Sequence, residues 1–257
     1  MKIAFFDSGM GGLSVLHHAR KVLPHEEFIF YADEDNVPYG TKSPEEVLSF
    51  VDAAFKFLIG QGVGAIVVAC NTATSVAVRI MREKYSLPII GMEPALKVAL
   101  DMFPDRKVLV TATAITITGE KIRQLIRRLH AEDLAELKAL PRLVEFAERQ
   151  EFNSSAVEEY LRGELAGYDW KNFSSLVLGC THFNYFKDTL RKILPPHVKF
   201  LDGNAGTVNE LIRRTNLTGD GRGSIEFFYS GRQVTDATEL ARLEKFLRRL
   251  DKMEAIT

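Results

Sequence analysis

Short apolar runs alternate with longer amphipathic segments along almost the whole chain. Lys2–Phe6, Phe28–Tyr31, Ala65–Ala69, Lys107–Thr111, Ser175–Leu178 and Val198–Leu201 are rich in Val, Ile, Leu and Phe and lack apolar–polar alternation. That pattern predicts strands covered on both faces, because a sheet with one wet face would carry a polar side chain at every second position. Between these runs, apolar residues recur every three or four positions. The best-marked segment opens Ser43-Pro44-Glu45-Glu46: an N-cap, a proline in the first turn and a capping-box glutamate. Val47, Phe50, Val51, Ala54, Phe55 and Leu58 then form one stripe at helical spacing. Ser155 with Glu158 predicts the start of another helix, a third runs from Ala95 to Phe103, and Leu240, Leu243, Leu247 and Leu250 line a C-terminal one. The alternation predicts an α/β fold of open, mostly parallel sheets flanked by helices.

Two of the predicted strands end alike. Ala65–Thr72 reads A-I-V-V-A-C-N-T and Ser175–His182 reads S-L-V-L-G-C-T-H: an apolar strand, a small residue, a cysteine, a short polar pair. Two short segments can match by accident; the alternative is a chain of two related α/β lobes. On that alternative Glu93-Pro94 is the first crossing and Asp202-Gly203-Asn204 the return. The first lobe then comprises residues 1–93 and 205–257, the second residues 94–204, with a cleft between them. Thr218–Ser224 (T-G-D-G-R-G-S) reads as a flexible connection and not a phosphate loop, since its glycines do not follow a strand.

Composition narrows the function mainly by exclusion. Among 257 residues, 33 Lys+Arg stand against 34 Asp+Glu, so no basic surplus points to nucleic acid or an anionic membrane. No apolar run approaches the ~20 residues that span a bilayer. Asp7 interrupts the apolar N-terminus too early for an export signal. Two cysteines cannot staple a chain of this length, and the expected home is a reducing cytoplasm.

Ligands of doubly wound sheets bind beyond the carboxyl ends of the strands, and five chemically loaded segments fall there. They are Asp7-Ser8-Gly9-Met10-Gly11-Gly12, Pro38-Tyr39-Gly40, Cys70-Asn71-Thr72, the threonine-rich stretch Thr111–Thr118, and Cys180-Thr181-His182. The glycine segment does not fit G-x-G-x-x-G. Its plain reading is a tight turn needing positive φ; another is that its N–H groups and Ser8 hold a carboxylate at a helix N-terminus. A single buried cysteine is usually a small hydrophobe. Two cysteines, each just after a strand, each beside hydroxyl-bearing residues and each at an expected helix N-terminus that favours thiolate, suggest more. If the lobes face each other, the thiols approach one cleft from opposite sides. His182 is then placed to orient or charge-balance Cys180, and Asp7 to do so for Cys70. Two distant cysteines and one histidine make a poor zinc set, so no metal is expected.

F-D-S-G-M-G-G, V-P-Y-G-T-K, A-C-N-T-A and L-G-C-T-H, in this order and at these intervals, resemble the glutamate racemases, which belong to the cofactor-independent aspartate/glutamate racemase superfamily. The resemblance extends over essentially the whole chain. It implies two lobes related by pseudo-twofold symmetry with the active site between them, no cofactor, and a homodimer. In the family, the cysteine matching Cys70 removes the α-proton of D-glutamate and the one matching Cys180 that of L-glutamate. Positions matching Asp7 and His182 assist the thiols. Those matching Ser8, Tyr39, Gly40, Asn71, Thr72 and Thr181 hold the substrate, with Pro38 in the same segment as Tyr39. Thr113 and Thr116 best match the family's threonines after the fourth strand, and Glu145 in P-R-L-V-E matches a glutamate near the second thiol. The implied role is supply of D-glutamate for peptidoglycan. An aspartate racemase is the nearest alternative, and a catalytically silent binding protein on the same fold the alternative from another class. Three features depart from the family. Asn184 stands where many relatives have proline, and Lys138-Ala139-Leu140 matches weakly. The chain also starts at its first strand, without the N-terminal extension of enterobacterial relatives regulated by a peptidoglycan precursor, which counts against such activation.

The chemistry explains why two thiols would be wanted. Racemisation removes a proton from one face of the α-carbon and returns one to the other. Two groups on opposite faces do this without either crossing the substrate plane, and near-equal end states ask for similar proton affinities. One thiol starts ionised and the other protonated. Without an electron sink, the substrate carboxylate must meet donors already in place, such as the N–H groups after Ser8 and Asn71 and the hydroxyls of Thr72 and Thr181.

Overall fold

The unalternating apolar runs lie side by side as parallel strands of two sheets in a computed structural model of the chain, which describes residues 1–92 and 95–257. The first half of the chain contains β1 (Lys2–Asp7), α1 (Leu13–Val22), β2 (Glu27–Ala32), α2 (Pro44–Gly60), β3 (Ala65–Val68), α3 (Asn71–Lys84), β4 (Ile89–Gly91) and α4 (Leu96–Met102). There follow β5 (Lys107–Ala112), α5 (Ala114–Thr118), α6 (Glu120–Arg128), β6 (Ala135–Ala139), α7 (Arg142–Glu148), α8 (Ser155–Leu165), β7 (Phe173–Leu178), α9 (Lys187–Ile193) and β8 (Lys199–Leu201). The chain closes with α10 (Asn204–Arg214), β9 (Ile225–Tyr229), β10 (Arg232–Gln233) and α11 (Ala237–Met253). The expected crossing at Glu93-Pro94 lies outside the described residues.

Among the described residues the larger sheet runs β10-β9-β2-β1-β3-β4 and the smaller β6-β5-β7-β8. All pairings are parallel except β10 with β9. The order β2-β1-β3-β4 in the first is repeated as β6-β5-β7-β8 in the second, so the fold consists of two pseudo-symmetric α/β lobes. The cysteine-bearing strands β3 and β7 hold the same place in each, beside the strand that opens its half. The echo between Ala65–Thr72 and Ser175–His182 is therefore an equivalence of position.

Local signals act where expected at α2: Ser43 Oγ accepts from the Glu46 amide at 3.2 Å and Glu46 Oε2 from the Ser43 amide at 2.7 Å. At α8 the cap is Ser154, one residue before the expected Ser155, its hydroxyl accepting from the Val157 amide. Leu243, Phe246, Leu250 and Met253 are the buried face of α11, whereas Leu240 is 40% exposed. Four strands were not among those expected, β4 being buried but short. β4 has three residues and β10 two, β6 (A-E-L-K-A) is half-buried throughout at a sheet edge, and β9 is buried fully only at Phe228.

One apolar cluster runs from the larger sheet (Phe5, Phe30) through α1 and α11 to the smaller (Leu109, Leu176). Within it, Phe152, Tyr185 and Phe246 form a triangle of rings with centroids 5.2–5.7 Å apart. Tyr185 belongs to a 3-10 turn, Thr181–Phe186, and its hydroxyl donates to the Met10 carbonyl at 2.7 Å. The C-terminal helix thus buttresses the turn after the second cysteine. Phe246→Ala should lower the unfolding free energy by about 3–5 kcal/mol, as deletion of a buried ring leaves a cavity. Urea denaturation measures this, and a loss under about 1 kcal/mol would remove α11 from the frame.

Candidate active site

A cavity with about 270 Å³ of space, part of it open to solvent, lies where the carboxyl ends of β1 and β3 face those of β5 and β7. Its walls carry Asp7, Ser8, Pro38, Tyr39, Gly40, Cys70, Asn71, Thr72, Thr113, Cys180, Thr181 and His182, each expected from the sequence, together with Val144, which was not. Thr116 and Glu145 do not line it. Thr116 reaches it indirectly, through a 3.1 Å hydrogen bond with Thr113.

Cys70 caps α3, its sulfur accepting from the Ala73 amide at 3.4 Å and donating to Ser8 Oγ at 3.7 Å. Beside it Asp7 is wholly buried, with Oδ1 accepting from the Ser8 amide at 2.7 Å and Oδ2 from the Thr181 hydroxyl at 3.0 Å. Burial drives the Asp7 carboxyl above the ordinary range, even though His182 and these hydrogen bonds oppose it. Burial and then the Asp7 charge push the Cys70 thiol well up, outweighing the Ala73 amide and Ser8. A helix N-terminus alone favours thiolate; here desolvation wins, and Cys70 is a thiol at neutral pH.

The other cysteine has opposite surroundings. Cys180 stands before the 3-10 turn Thr181–Phe186 and not before an α-helix, and makes no capping hydrogen bond. Its sulfur lies 3.7 Å from His182 Nδ1. His182 Nε2 is 2.6 Å from Glu148 Oε1, which also accepts from the Met10 amide at 2.8 Å. Burial would lower the His182 pKa, but hydrogen bonds and charge from Cys180 and Glu148 reverse this and hold it well above its ordinary value. Burial would likewise raise Glu148, yet His182, the Met10 amide and Arg242 keep it below the ordinary carboxylate range. The pair is therefore imidazolium and carboxylate, and the Cys180 sulfur faces a buried cation.

The structure does not bring Glu145 to this cluster. Its side chain is exposed, and Glu148, one turn further along α7, meets His182. Val144, which lines the cavity, and Glu148 are four apart and share one face of α7. The glycine turn also differs from expectation. None of Gly9, Gly11 and Gly12 has positive φ. What they supply is room: a Cβ at Gly11 would sit 2.4 Å from His182 Nδ1 and 2.5 Å from Thr181 Oγ1, and one at Gly9 2.2 Å from Glu148 Oε1. The turn does hold carboxylates on its amides, but they are the protein's own, Asp7 on Ser8 and Glu148 on Met10.

Thr72 and Thr113 share a 2.9 Å hydrogen bond across the cavity, one from each lobe. Thr111 and Thr118 bond backbone carbonyls instead. Tyr39 donates to Asp33 at 2.6 Å, which adds Asp33 as a support the sequence did not reveal. Asn71 Oδ1 is buried without a hydrogen-bond partner among the described residues. Among those residues no three His, Cys, Asp or Glu side chains are grouped to hold a metal.

Residues 13–211 match the family model for Asp/Glu/hydantoin racemases. The chain is 54% identical to the glutamate racemase of Campylobacter curvus over 98% of both chains. It is 42% identical to glutamate racemase 2 of Bacillus subtilis, over 99% of this chain and 98% of that one. Among solved structures, the glutamate racemase of Campylobacter jejuni superposes with a TM-score of 0.85 at 26% identity, covering 96% of this chain and 98% of that one. That of Francisella tularensis, in complex with D-glutamate, gives 0.78 at 27% identity over 96% and 93%.

The unlike surroundings of the two thiols are directly measurable. At pH 7 iodoacetamide should modify Cys180 at least about tenfold faster than Cys70, since the thiolate is the reacting form. Peptide mass spectrometry resolves the two sites, and equal rates would contradict the contrast between a desolvated Cys70 beside a carboxyl and a Cys180 that faces a cation.

Proposed function

Because the chain belongs to the Asp/Glu/hydantoin racemase family, and within it is an amino-acid racemase of the glutamate racemase kind, we propose that it interconverts L- and D-glutamate with its two cysteines as the proton-transferring groups. The observation that carries this reading is that one cavity holds both sulfurs, one beside an imidazolium and the other beside a buried carboxyl.

With L-glutamate bound, the Cys180 thiolate takes the α-proton and becomes a thiol. The Cys70 thiol gives its proton to the opposite face of the α-carbon and becomes a thiolate. The product is D-glutamate, and the site keeps one unit of negative charge on sulfur throughout. D-glutamate reacts by the reverse sequence. Asp7 and the Ser8 hydroxyl are the near neighbours of Cys70 when it carries charge; His182 and Glu148 serve Cys180. The developing carbanion meets the Ser8, Thr72 and Thr181 hydroxyls and the amides at the start of α3. The unpaired Asn71 Oδ1 supplies an acceptor for the substrate ammonium. Thr72 and Thr113 must exchange their mutual hydrogen bond for bonds to substrate.

In this reading the lobes comprise residues 1–93 with 205–257 and residues 94–204. The enzyme acts in the cytoplasm as a homodimer, without a cofactor, and supplies D-glutamate to peptidoglycan. Circular dichroism assays on both amino acids test the substrate, and faster turnover of aspartate would overturn it. In deuterated water, early product should carry label while remaining substrate stays unlabelled; equal early labelling would indicate one shared base. Cys70→Ser and Cys180→Ser should each lower kcat on the order of 10³-fold.

A further inference from the structure

A line of charged side chains leads away from the thiols. Glu148 uses Oε1 for His182 and the Met10 amide, and its other oxygen lies 3.3 Å from Arg242 Nη2. Arg242 Nη1 lies 3.1 Å from Glu34 Oε2 and 3.5 Å from Glu239 Oε2. Glu34 belongs to the loop after β2, Glu148 to α7 and Arg242 to α11. Their side chains are only 17%, 14% and 23% exposed, and none lines the cavity. Glu34 Oε1 is buried with no hydrogen-bond partner among the described residues.

We propose that Arg242 is a positioning residue for the Cys180 half of the reaction: it holds Glu148 aligned on His182, while Glu34 competes with Glu148 for its charge. The inference rests on the two-thiol reading of the site. A carboxylate engaged at both oxygens cannot rotate off His182. Charges alternate along the line, with the His182 cation, the Glu148 anion, the Arg242 cation and the Glu34 anion. Without Arg242, two half-buried carboxylates would face each other, and the proton such a pair takes up goes to Glu34, whose carboxyl is already raised, while Glu148 keeps its charge but not its anchor. Glu148 would also lose the anchor on its second oxygen, and a carboxylate free to turn off His182 no longer holds the imidazolium against Cys180.

Glu34 makes this support sensitive to pH. It faces Arg242 and Glu239 from α11, Glu148 from α7 with His182 beyond, and the Tyr229 hydroxyl from β9. Asp33 and Asp35 on its own loop are engaged by Tyr39 and Ser230, and by Arg232. Burial and then Glu148 raise the Glu34 carboxyl to about 7, against Arg242 and His182. As pH falls through that value Glu34 is neutralised and Arg242 is left to Glu148.

Equal energies of the two enantiomers in water force kcat/KM to remain equal in the two directions in every variant, so the asymmetry must be read at the thiols. Full-length wild type, Arg242→Met, Arg242→Lys and Glu34→Gln are treated with iodoacetamide between pH 6 and 9, with each cysteine followed by peptide mass spectrometry. In Arg242→Met, Cys180 should react about tenfold more slowly at pH 7, with Cys70 within about twofold of wild type and kcat/KM falling about as much as Cys180 reactivity. Arg242→Lys should recover part of the loss. In Glu34→Gln, Cys180 should react about twofold faster at pH 8, the gap closing toward pH 6. Equal slowing of both cysteines, an unchanged Cys180, or a lysine variant as impaired as the methionine one would overturn the proposal. If Arg242→Met does not fold, Glu34→Gln decides, and a flat pH response in that variant counts against. These rates report on the surroundings of Cys180 whether or not it carries catalysis; failure of the two-thiol reading would instead appear as racemisation surviving in Cys180→Ser.

Discussion

The 2.6 Å contact between His182 and Glu148, in a place almost without solvent, is the constraint that the surrounding structure accommodates. A buried cation is tolerated only with a close, well-oriented counter-charge whose remaining valences are also satisfied. Glu148 meets that condition through the Met10 amide, which is available because the chain turns sharply after β1. The turn in turn can approach His182 only because residue 11 has no Cβ. Tyr185, bonded to the Met10 carbonyl and packed at a tilt against Phe152 and Phe246, fixes the same turn from the apolar side. One electrostatic pair thus ties the glycine segment of one lobe to the last turn of α7 and the post-cysteine turn of the other.

Pseudo-symmetry explains why two cysteines reach one cavity, but it also poses a problem, since a symmetric site would give both thiols the same state. The symmetry is broken by the residues around the echo. After Cys70 the polar pair is Asn71-Thr72; after Cys180 it is Thr181-His182. β1 ends in Asp7, whereas β5 ends in Ala112. One thiol therefore gains a neighbouring anion and the other a cation, and desolvation magnifies both effects. The backbone supplies equivalent positions while three side chains (Asp7, His182 and Glu148) supply the difference. A two-base racemase needs that difference, with one base charged and the other protonated before substrate arrives.

Most of the fold was legible because its strands are buried on both faces, and burial writes unbroken apolar runs such as Ile3–Phe6 and Ala65–Val68. β6 was not, since an edge strand reading A-E-L-K-A carries no such signature. The cavity wall was legible for a related reason: strand ends in α/β sheets are where ligands bind, and the polar residues at those ends are local in sequence. Two kinds of information were not local. Which turn of α7 faces His182 depends on how that helix is rotated in the packed structure, so Glu145 was expected where Glu148 stands. The ion line through Glu34 and Arg242 joins residues from opposite ends of the chain, and nothing in either segment announces the other. The glycines were conspicuous, but the reason for them was crowding from another part of the chain and not their own φ.

The site's electrostatics also set how the fold responds to pH, and the contributions differ in sign. Glu148 has a depressed pKa, so its stabilisation is present above the unfolded carboxylate value and is lost as pH falls through the folded one. His182 has a raised pKa; its contribution is complete below the ordinary histidine value and is lost as pH climbs through the folded one. Asp7 and Glu34 act oppositely. Their raised carboxyl pKa values mean that the unfolded chain ionises first, so folding becomes less favourable as pH rises through that interval, which for Glu34 ends at about 7. Around neutrality the ion pair is formed while the cost of burying the Glu34 carboxyl approaches its full size, which it reaches above about 7. The charge state present around the thiols at neutrality is therefore not the one that would maximise the stability of the fold. Because Glu148 and Arg242 belong to both the pair and its support, any change that relieves this tension also alters the charge facing Cys180.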